Sequence, residues 1–295
     1  MSGINPYRFE KIYADLVTKD GTVLILYLTW MDLAGLTFRQ AAATIYERDG
    51  SREFRIGSHD HSKDVFGLGF NKAELNISLK SGSITVRYEH AISDDQLRFK
   101  IGSNLTYSCL VLKADCTAML QVNGTTREFK GQGYVDDVTI DTPTRRLGLE
   151  NLQWGRIHCE DTSVLFTRLL SKRYEPIQML AMSTGYSEEV KVTERFEIEY
   201  SEDYSSLLIR SPLLPARELH VENRAILHEG SAIDKRHFPG FFERSLFSLI
   251  TGSSYERRWL GTCKFGKQPA WVLHEQVAFG RKAQLVRSET EGWMI

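Results

Sequence analysis

The chain has 295 residues, 42% hydrophobic and 25% charged, which are ordinary globular values and leave room for one large β barrel or two domains of ordinary size. A formal net charge of −1, with no strongly basic run, removes the electrostatic case for nucleic acid or an anionic membrane surface as partner. The longest apolar run, Val23 to Met31, is too short to span a bilayer, and no basic-then-apolar leader opens the chain, so a cytoplasmic protein without membrane insertion is expected.

In chain order, Tyr7 to Val17 alternates as a first strand, with Tyr7, Phe9, Lys11, Tyr13 and Asp15 on one face and Arg8, Glu10, Ile12 and Ala14 on the other. Asp20-Gly21 turns the chain and Thr22 to Met31 returns as an apolar strand, completing a hairpin. Short β-rich runs follow at 41–47, 52–56, 73–79, 83–88, 96–101 and 118–122, with turn signals at Asp49-Gly50, Ser81-Gly82, Asp94-Asp95 and Asn123-Gly124. The same style resumes at 164–171, 177–183, 190–200, 206–211, 217–227, 255–265 and 271–279. Strands at this spacing predict an all-β chain of antiparallel barrels or sandwiches. Helical spacing of Phe242, Leu246, Leu249 and Ile250 predicts one helix over 240–250, and residues 288–295 read as a loose tail. With similar strand density on both sides and no Ser/Gly/Pro-rich linker, two β domains are expected, 1–160 and 161–295.

The densest set of polar and aromatic groups lies at the midpoint, Gly131 to Glu160. Gly131 and Gly133 free the backbone for a bend or bulge ahead of Tyr134, Asp136 and Asp137, and adjacent carboxylates on a strand point to opposite faces. Read as a strand, 152–160 sets Trp154, Arg156 and His158 on one face and Gln153, Gly155, Ile157 and Cys159 on the other. Such a set either lines a site or ties two halves of a β protein together through a buried ion pair and a packed Trp. Trp30, Tyr27, Tyr13 and Trp154 are the aromatics placed nearest a cavity for a long apolar ligand.

Other motifs are weak. Gly67-Leu68-Gly69 lacks the third glycine of a dinucleotide site, Gly266-Lys267 is followed by Gln268 rather than Ser or Thr, and no G-x-S-x-G elbow occurs. His59-Asp60-His61 lacks a third ligand and reads as a solvated loop, so no metal and no cofactor are expected. Cys109, Cys116, Cys159 and Cys263 form no C-x-x-C pair and read as small buried hydrophobes.

Two stretches resemble the carotenoid hydratase (hydroxyneurosporene synthase) and AttH-like group of lipocalin-like proteins. Residues 7–15, YRFEKIYAD, look like the group's opening Y-R-F-E-W-W-Y-F-D; residues 131–137, GQGYVDD, look like its G-x-G-Y-H-D-H, followed at Trp154-Gly155-Arg156 by its W-G-R. The resemblance implies two tandem lipocalin-like (calycin-like) antiparallel β barrels and a hydrophobic substrate, because relatives hydrate carotenoid ends, cyclise prenyl chains or fold polyenes by Diels-Alder reactions. Lys11 and Ile12 stand where the group has tryptophans, and Val135 and Asp137 where it has histidines, which disfavours carotenoid hydration. The reading is a cofactor-free cyclase acting on a polyene, prenyl or polyketide-derived molecule. Asp136 and Glu10 are its candidate acids, Arg156 and His158 bind a carbonyl, and Tyr134, Trp154, Trp30, Tyr27 and Tyr13 form the wall. The alternatives are a non-catalytic carrier with the same cavity, or a terpenoid hydratase.

Overall fold

The computed structural model describes residues 7–33, 35–58, 66–69, 72–79, 82–185, 189–231, 254–280 and 285. Two compact units emerge, 1–142 and 143–295, dividing just before the strand that carries Trp154, whereas the sequence reading places the boundary after it. The sequence-predicted helix over 240–250, the His59-Asp60-His61 triplet and the 288–295 tail lie outside the described residues.

The first unit is a curled antiparallel sheet of β1 (Tyr7–Thr18), β2 (Val23–Leu33), β3 (Leu36–Tyr46), β4 (Arg52–Ser58), β5 (Phe66–Gly69), β6 (Lys72–Leu79), β7 (Gly82–Ile92), β8 (Arg98–Ile101), β9 (Leu105–Val122) and β10 (Thr125–Ile140). Its order is β4-β3-β2-β1-β10-β9-β7-β6-β5, with β8 added on β9. After a single turn of helix, α1 (Thr144–Leu147), the second unit repeats the plan with β11 (Leu149–His158), β12 (Thr162–Ser171), β13 (Ile177–Thr184), β14 (Val190–Thr193), β15 (Glu197–Tyr200), β16 (Ser206–Arg210), β17 (Glu218–Ser231), β18 (Ser254–Phe265) and β19 (Gln268–Phe279). Here the order is β14-β13-β12-β11-β19-β18-β17-β16-β15. In each unit the first strand hydrogen-bonds to both the second and the last, so the two share one connectivity although the sequence shows no repeat.

The turns follow from their residues. Asn123 and Gly124 both take positive φ, 50° and 80°, the type I′ geometry whose twist suits a two-residue hairpin between β9 and β10. In the first unit one face of β1 and β2, carrying Ala14, Leu16, Leu24, Leu26 and Leu28, joins the hydrophobic core. The opposite face is buried as well, since Tyr13, Asp15, Val17, Val23 and Ile25 are all covered. Burial on both faces explains why 23–28 reads as an unbroken apolar run rather than an alternating one. In the second unit Ile157, Val164, Phe166, Leu180, Trp259 and Val272 form the corresponding core.

Gly131 and Gly133 are required for close approach. A Cβ on Gly131 would lie 2.1 Å from the Val17 carbonyl oxygen, and one on Gly133 2.8 Å from both the Tyr88 ring and Cys116 Cβ. The expected bulge is present beside them, on the β9 side: Gly133 pairs with Ala114, Val135 with Val111 and Asp136 with Cys109, so β9 inserts extra residues against a regular β10.

Candidate active site

That irregularity builds the first group of candidate residues. Past it, β9 resumes pairing with Cys109 opposite Asp136 and Tyr107 opposite Val138, which aims Tyr107 and Cys109 at the face of β10 that carries Tyr134 and Asp136. Asp136 pairs on its other side with Tyr13, and Tyr13 with Tyr27, so one row runs Cys109, Asp136, Tyr13, Tyr27 across four strands. The Tyr13 ring meets Tyr27 edge-on at 5.3 Å between centroids and Tyr134 at 6.2 Å, while Lys11 Nζ stands 5.9 Å and 5.7 Å from the centres of Tyr13 and Tyr27.

Within this wall Tyr134 Oη donates to Asp136 Oδ2 at 3.1 Å and lies 2.5 Å from Tyr107 Oη. A phenol has one proton, so with that of Tyr134 given to Asp136 the second bond runs from Tyr107 to Tyr134. Burial, reinforced by the Asp136 charge, pushes the Tyr134 hydroxyl well above its ordinary range, and the same two causes raise the Cys109 thiol. These groups are therefore protonated hydrogen-bond donors at neutral pH, not bases or nucleophiles.

Glu10 and Trp30 occupy the other face. They pair across β1 and β2, and Trp30 belongs to the core cluster. Asp137, which sequence reading set aside in favour of Asp136, points the same way: it pairs with Ile12, two residues along β10 from Thr139, the partner of Glu10. Burial first, then the charge of Glu10, raises the Asp137 carboxyl to about 6, against the opposing pull of Arg8, Arg98 and Lys11. Glu10 itself accepts from Arg8 Nε at 2.6 Å. The adjacent aspartates thus divide between the two faces of β10, as strand alternation requires.

In the second unit, Trp154, Arg156 and His158 share one face of β11, and Arg156 is completely buried. Across the ladder Trp154 faces Thr167 and Glu275, Arg156 faces Leu165 and Leu273, and His158 faces Ser163 and Trp271. Glu275 accepts from Arg258 Nε at 2.8 Å. Gly155, on the reverse face, has no room for a side chain: a Cβ there would sit 2.4 Å from Phe166 Cζ and 2.5 Å from His274 Cβ. The W-G-R glycine is thereby explained by core packing, and strand alternation sets its two neighbours on the opposite face. Among the described residues no cluster of His, Cys, Asp and Glu could hold a metal ion, and no helix is long and apolar enough to cross a membrane.

Sequence reading missed Tyr107 and Asp137. Tyr107 lies 27 residues before Tyr134 on a strand whose bulges break the alternation that would have paired them. Asp137 was legible as the second half of an Asp-Asp pair, but its elevated pKa depends on burial and on Glu10, which only the fold brings near.

No protein-family model matches the chain, and no curated protein matches it. Solved structures do. A candidate AttH from Nitrosomonas europaea aligns over 92% of this chain and 92% of its own, with a TM-score of 0.56 at 10% identity. Kievitone hydratase from Nectria haematococca aligns over 92% of this chain and 88% of its own, with a TM-score of 0.51 at 10% identity. CghA, solved with Sch210972, aligns over 93% and 89%, with a TM-score of 0.59 at 13% identity. These likenesses establish the architecture: the chain has the tandem lipocalin-like fold of the AttH-like proteins that its opening strand and its Gly131–Asp137 motif resemble.

Proposed function

We propose that the chain is a cofactor-free cyclase that folds a hydrophobic polyene, prenyl or polyketide-derived molecule. The observation that carries this reading is the buried Tyr107–Tyr134–Asp136 chain set in a wall of tyrosines. A surface of this kind holds an extended apolar chain in one conformation, which removes entropy from the barrier to ring closure. On binding, Tyr107 turns the proton it otherwise gives to Tyr134 toward a carbonyl conjugated to the reacting alkene, and that bond withdraws electron density as the new bonds form. In this reading Asp136 orients the phenols, Tyr13 and Tyr27 form the adjoining wall, and Lys11 favours electron-rich rings there. In the second unit Arg156 and His158 are assigned to carbonyl binding and Trp154 to an aromatic wall, whereas Trp30 and Glu10 face away from the tyrosine wall and are not assigned to it.

One observation favours a second reading, hydration. Asp137 holds its proton to about pH 6 beside core groups of the first unit, as an acid that protonates an alkene would. The fold shared with kievitone hydratase accords with it.

Native mass spectrometry and solvent extraction of protein purified from its own source, before and after incubation, separate these outcomes. A bound apolar compound converted to an isomer of equal mass supports the cyclase, and a gain of one water supports hydration. A bound compound that never changes identifies a carrier and refutes both catalytic readings. In the cyclase case Tyr134→Phe and Asp136→Asn slow conversion without abolishing retention of the compound.

A further inference from the structure

We propose that Lys11 selects a substrate bearing an ionised carboxylate beside its apolar chain, held on the tyrosine face of the first unit. This selectivity, which rests on the reading above, narrows the ligand from a hydrophobic molecule to an amphipathic acid. Lys11 lies on β1 between Phe9 and Tyr13, all three on one face. Among the described residues its Nζ meets only the rings of Tyr13 and Tyr27, and no carboxylate comes within ion-pair distance of it. Asp137, whose carboxyl feels the Lys11 charge, is on the reverse face of β10.

The sheet register shows what surrounds this charge. Its row runs from Tyr107 through Val138, Lys11 and Thr29 to Gln40. On one side lies the row of Asp136, Tyr13 and Tyr27; on the other, Ile140, Phe9, Met31 and Phe38 contribute no charge. Val138, Lys11, Thr29 and Gln40 are half-buried, whereas Asp136, Tyr13, Ile140 and Met31 are buried. Solvent therefore reaches this face at the cation, along a strip flanked by more deeply covered groups.

A pure hydrocarbon laid along that strip would take water from the ammonium and return nothing but the two ring faces, an unfavourable exchange for a unit charge. Tryptophan, which the resembled group carries at this position, would extend the wall without that cost. A carboxylate on the ligand reverses the sign, because it accepts a charge-assisted hydrogen bond from Nζ as the water leaves. The aromatic and apolar groups on either side then cover the chain that carries it.

The ligand's charge is a single one. The cations that flank these rows, Arg8, Arg39, Arg98 and Lys100, alternate onto the reverse face, with Glu10, Trp30 and Asp137. A phosphate monoester, close to a dianion at neutral pH, would be left half-compensated, and an ester or alcohol would bring no anion at all. Lys11 is thus a specificity residue that holds the carboxylate, whereas Tyr107, two strands away on the same row, is the group read above as polarising the reacting carbonyl.

The test is fluorescence titration of the full chain with cis-parinaric acid, a conjugated tetraene carboxylate that brightens in apolar surroundings, beside its methyl ester, which keeps the chain and loses the charge. Saturable binding of the acid is expected, about tenfold or more tighter than that of the ester, since one charge-assisted hydrogen bond is a factor of about ten or more. Lys11→Met keeps the stem without the charge and should lower the acid to the affinity of the ester, while ester binding holds or tightens and so shows the variant to be folded. Lys11→Gln should give the same loss, and Lys11→Arg should keep the preference. Equal binding of acid and ester by the unmodified protein, or a preference that survives both Lys11→Met and Lys11→Gln, would overturn the proposal and leave the cyclase reading standing, because that reading is decided by conversion of the compound extracted with the protein. Binding of neither probe would overturn the proposal together with the role of the tyrosine wall in holding a polyene.

Discussion

Replacing Asp137 by Asn probes the first unit's core face through its pH dependence. The folded carboxyl keeps its proton to about pH 6, whereas the unfolded one releases it near 3.8. Between these values the folded state binds more protons than the unfolded state, so stability falls as pH rises through the window and the penalty is complete above it. A shift of roughly two units corresponds to about 3 kcal/mol at about 1.36 kcal/mol per unit, an upper bound because Asp137 is only half-buried and cations stand nearby. Asn carries no charge at any pH and escapes the penalty. Urea denaturation of both proteins at intervals from pH 4 to 7, followed by circular dichroism, should show Asp137→Asn gaining on the parent progressively, with most of the gain between pH 4 and 6. Glu10→Gln should produce a smaller gain in the same direction, since Glu10 is the second cause of the shift. Parallel stability profiles for parent and Asp137→Asn would refute the reasoning.

Three further outcomes follow from the packing. Tyr134→Phe leaves the Tyr107 hydroxyl without its acceptor and Asp136 Oδ2 without the Tyr134 bond, and should cost about 1–3 kcal/mol in a denaturant titration. Gly155→Ala forces a methyl group against Phe166 and the His274 Cβ, and should lower stability by about 1–3 kcal/mol, visible as a reduced melting temperature. All four cysteines are buried and none forms a disulfide, and burial pushes Cys263 up to about 12, so a thiol reagent at neutral pH should label none of them until denaturant is added.

Strand alternation made much of this legible. Trp154, Arg156 and His158 share a face because β11 is regular through them, and the Asp136-Asp137 pair divides as two neighbours on a strand must. Asn123-Gly124 marked its hairpin because no other common pair accepts two positive φ values so cheaply. What alternation could not reveal depends on departures from it. β9 runs from Leu105 to Val122, yet only its last five residues read as a strand, because the bulges opposite Gly133 and Val135 reset which face each residue takes. Tyr107 and Cys109 were lost with that stretch. Asn151 and Gln153 were hidden for another reason: amides on a strand ordinarily face water, whereas these two are buried.

The shared connectivity of the two units has a kinetic consequence. In each, the seam that closes the sheet joins its first strand to its last, β1 to β10 and β11 to β19, so the pairing with the greatest separation along the chain is also the one at its centre. Pairings of this kind form late and fold slowly, because loop-closure entropy is spent before contacts reward it. On the ribosome β1 waits with one edge unpaired until residue 140 has emerged, roughly ten seconds or more at ordinary elongation rates. Through that interval its run from Tyr13 to Val17, apolar or aromatic on all but one side chain, is a template for pairing with the wrong chain. Asp15 is the single carboxylate within it, and a charge at such a position works against that pairing while the edge is open.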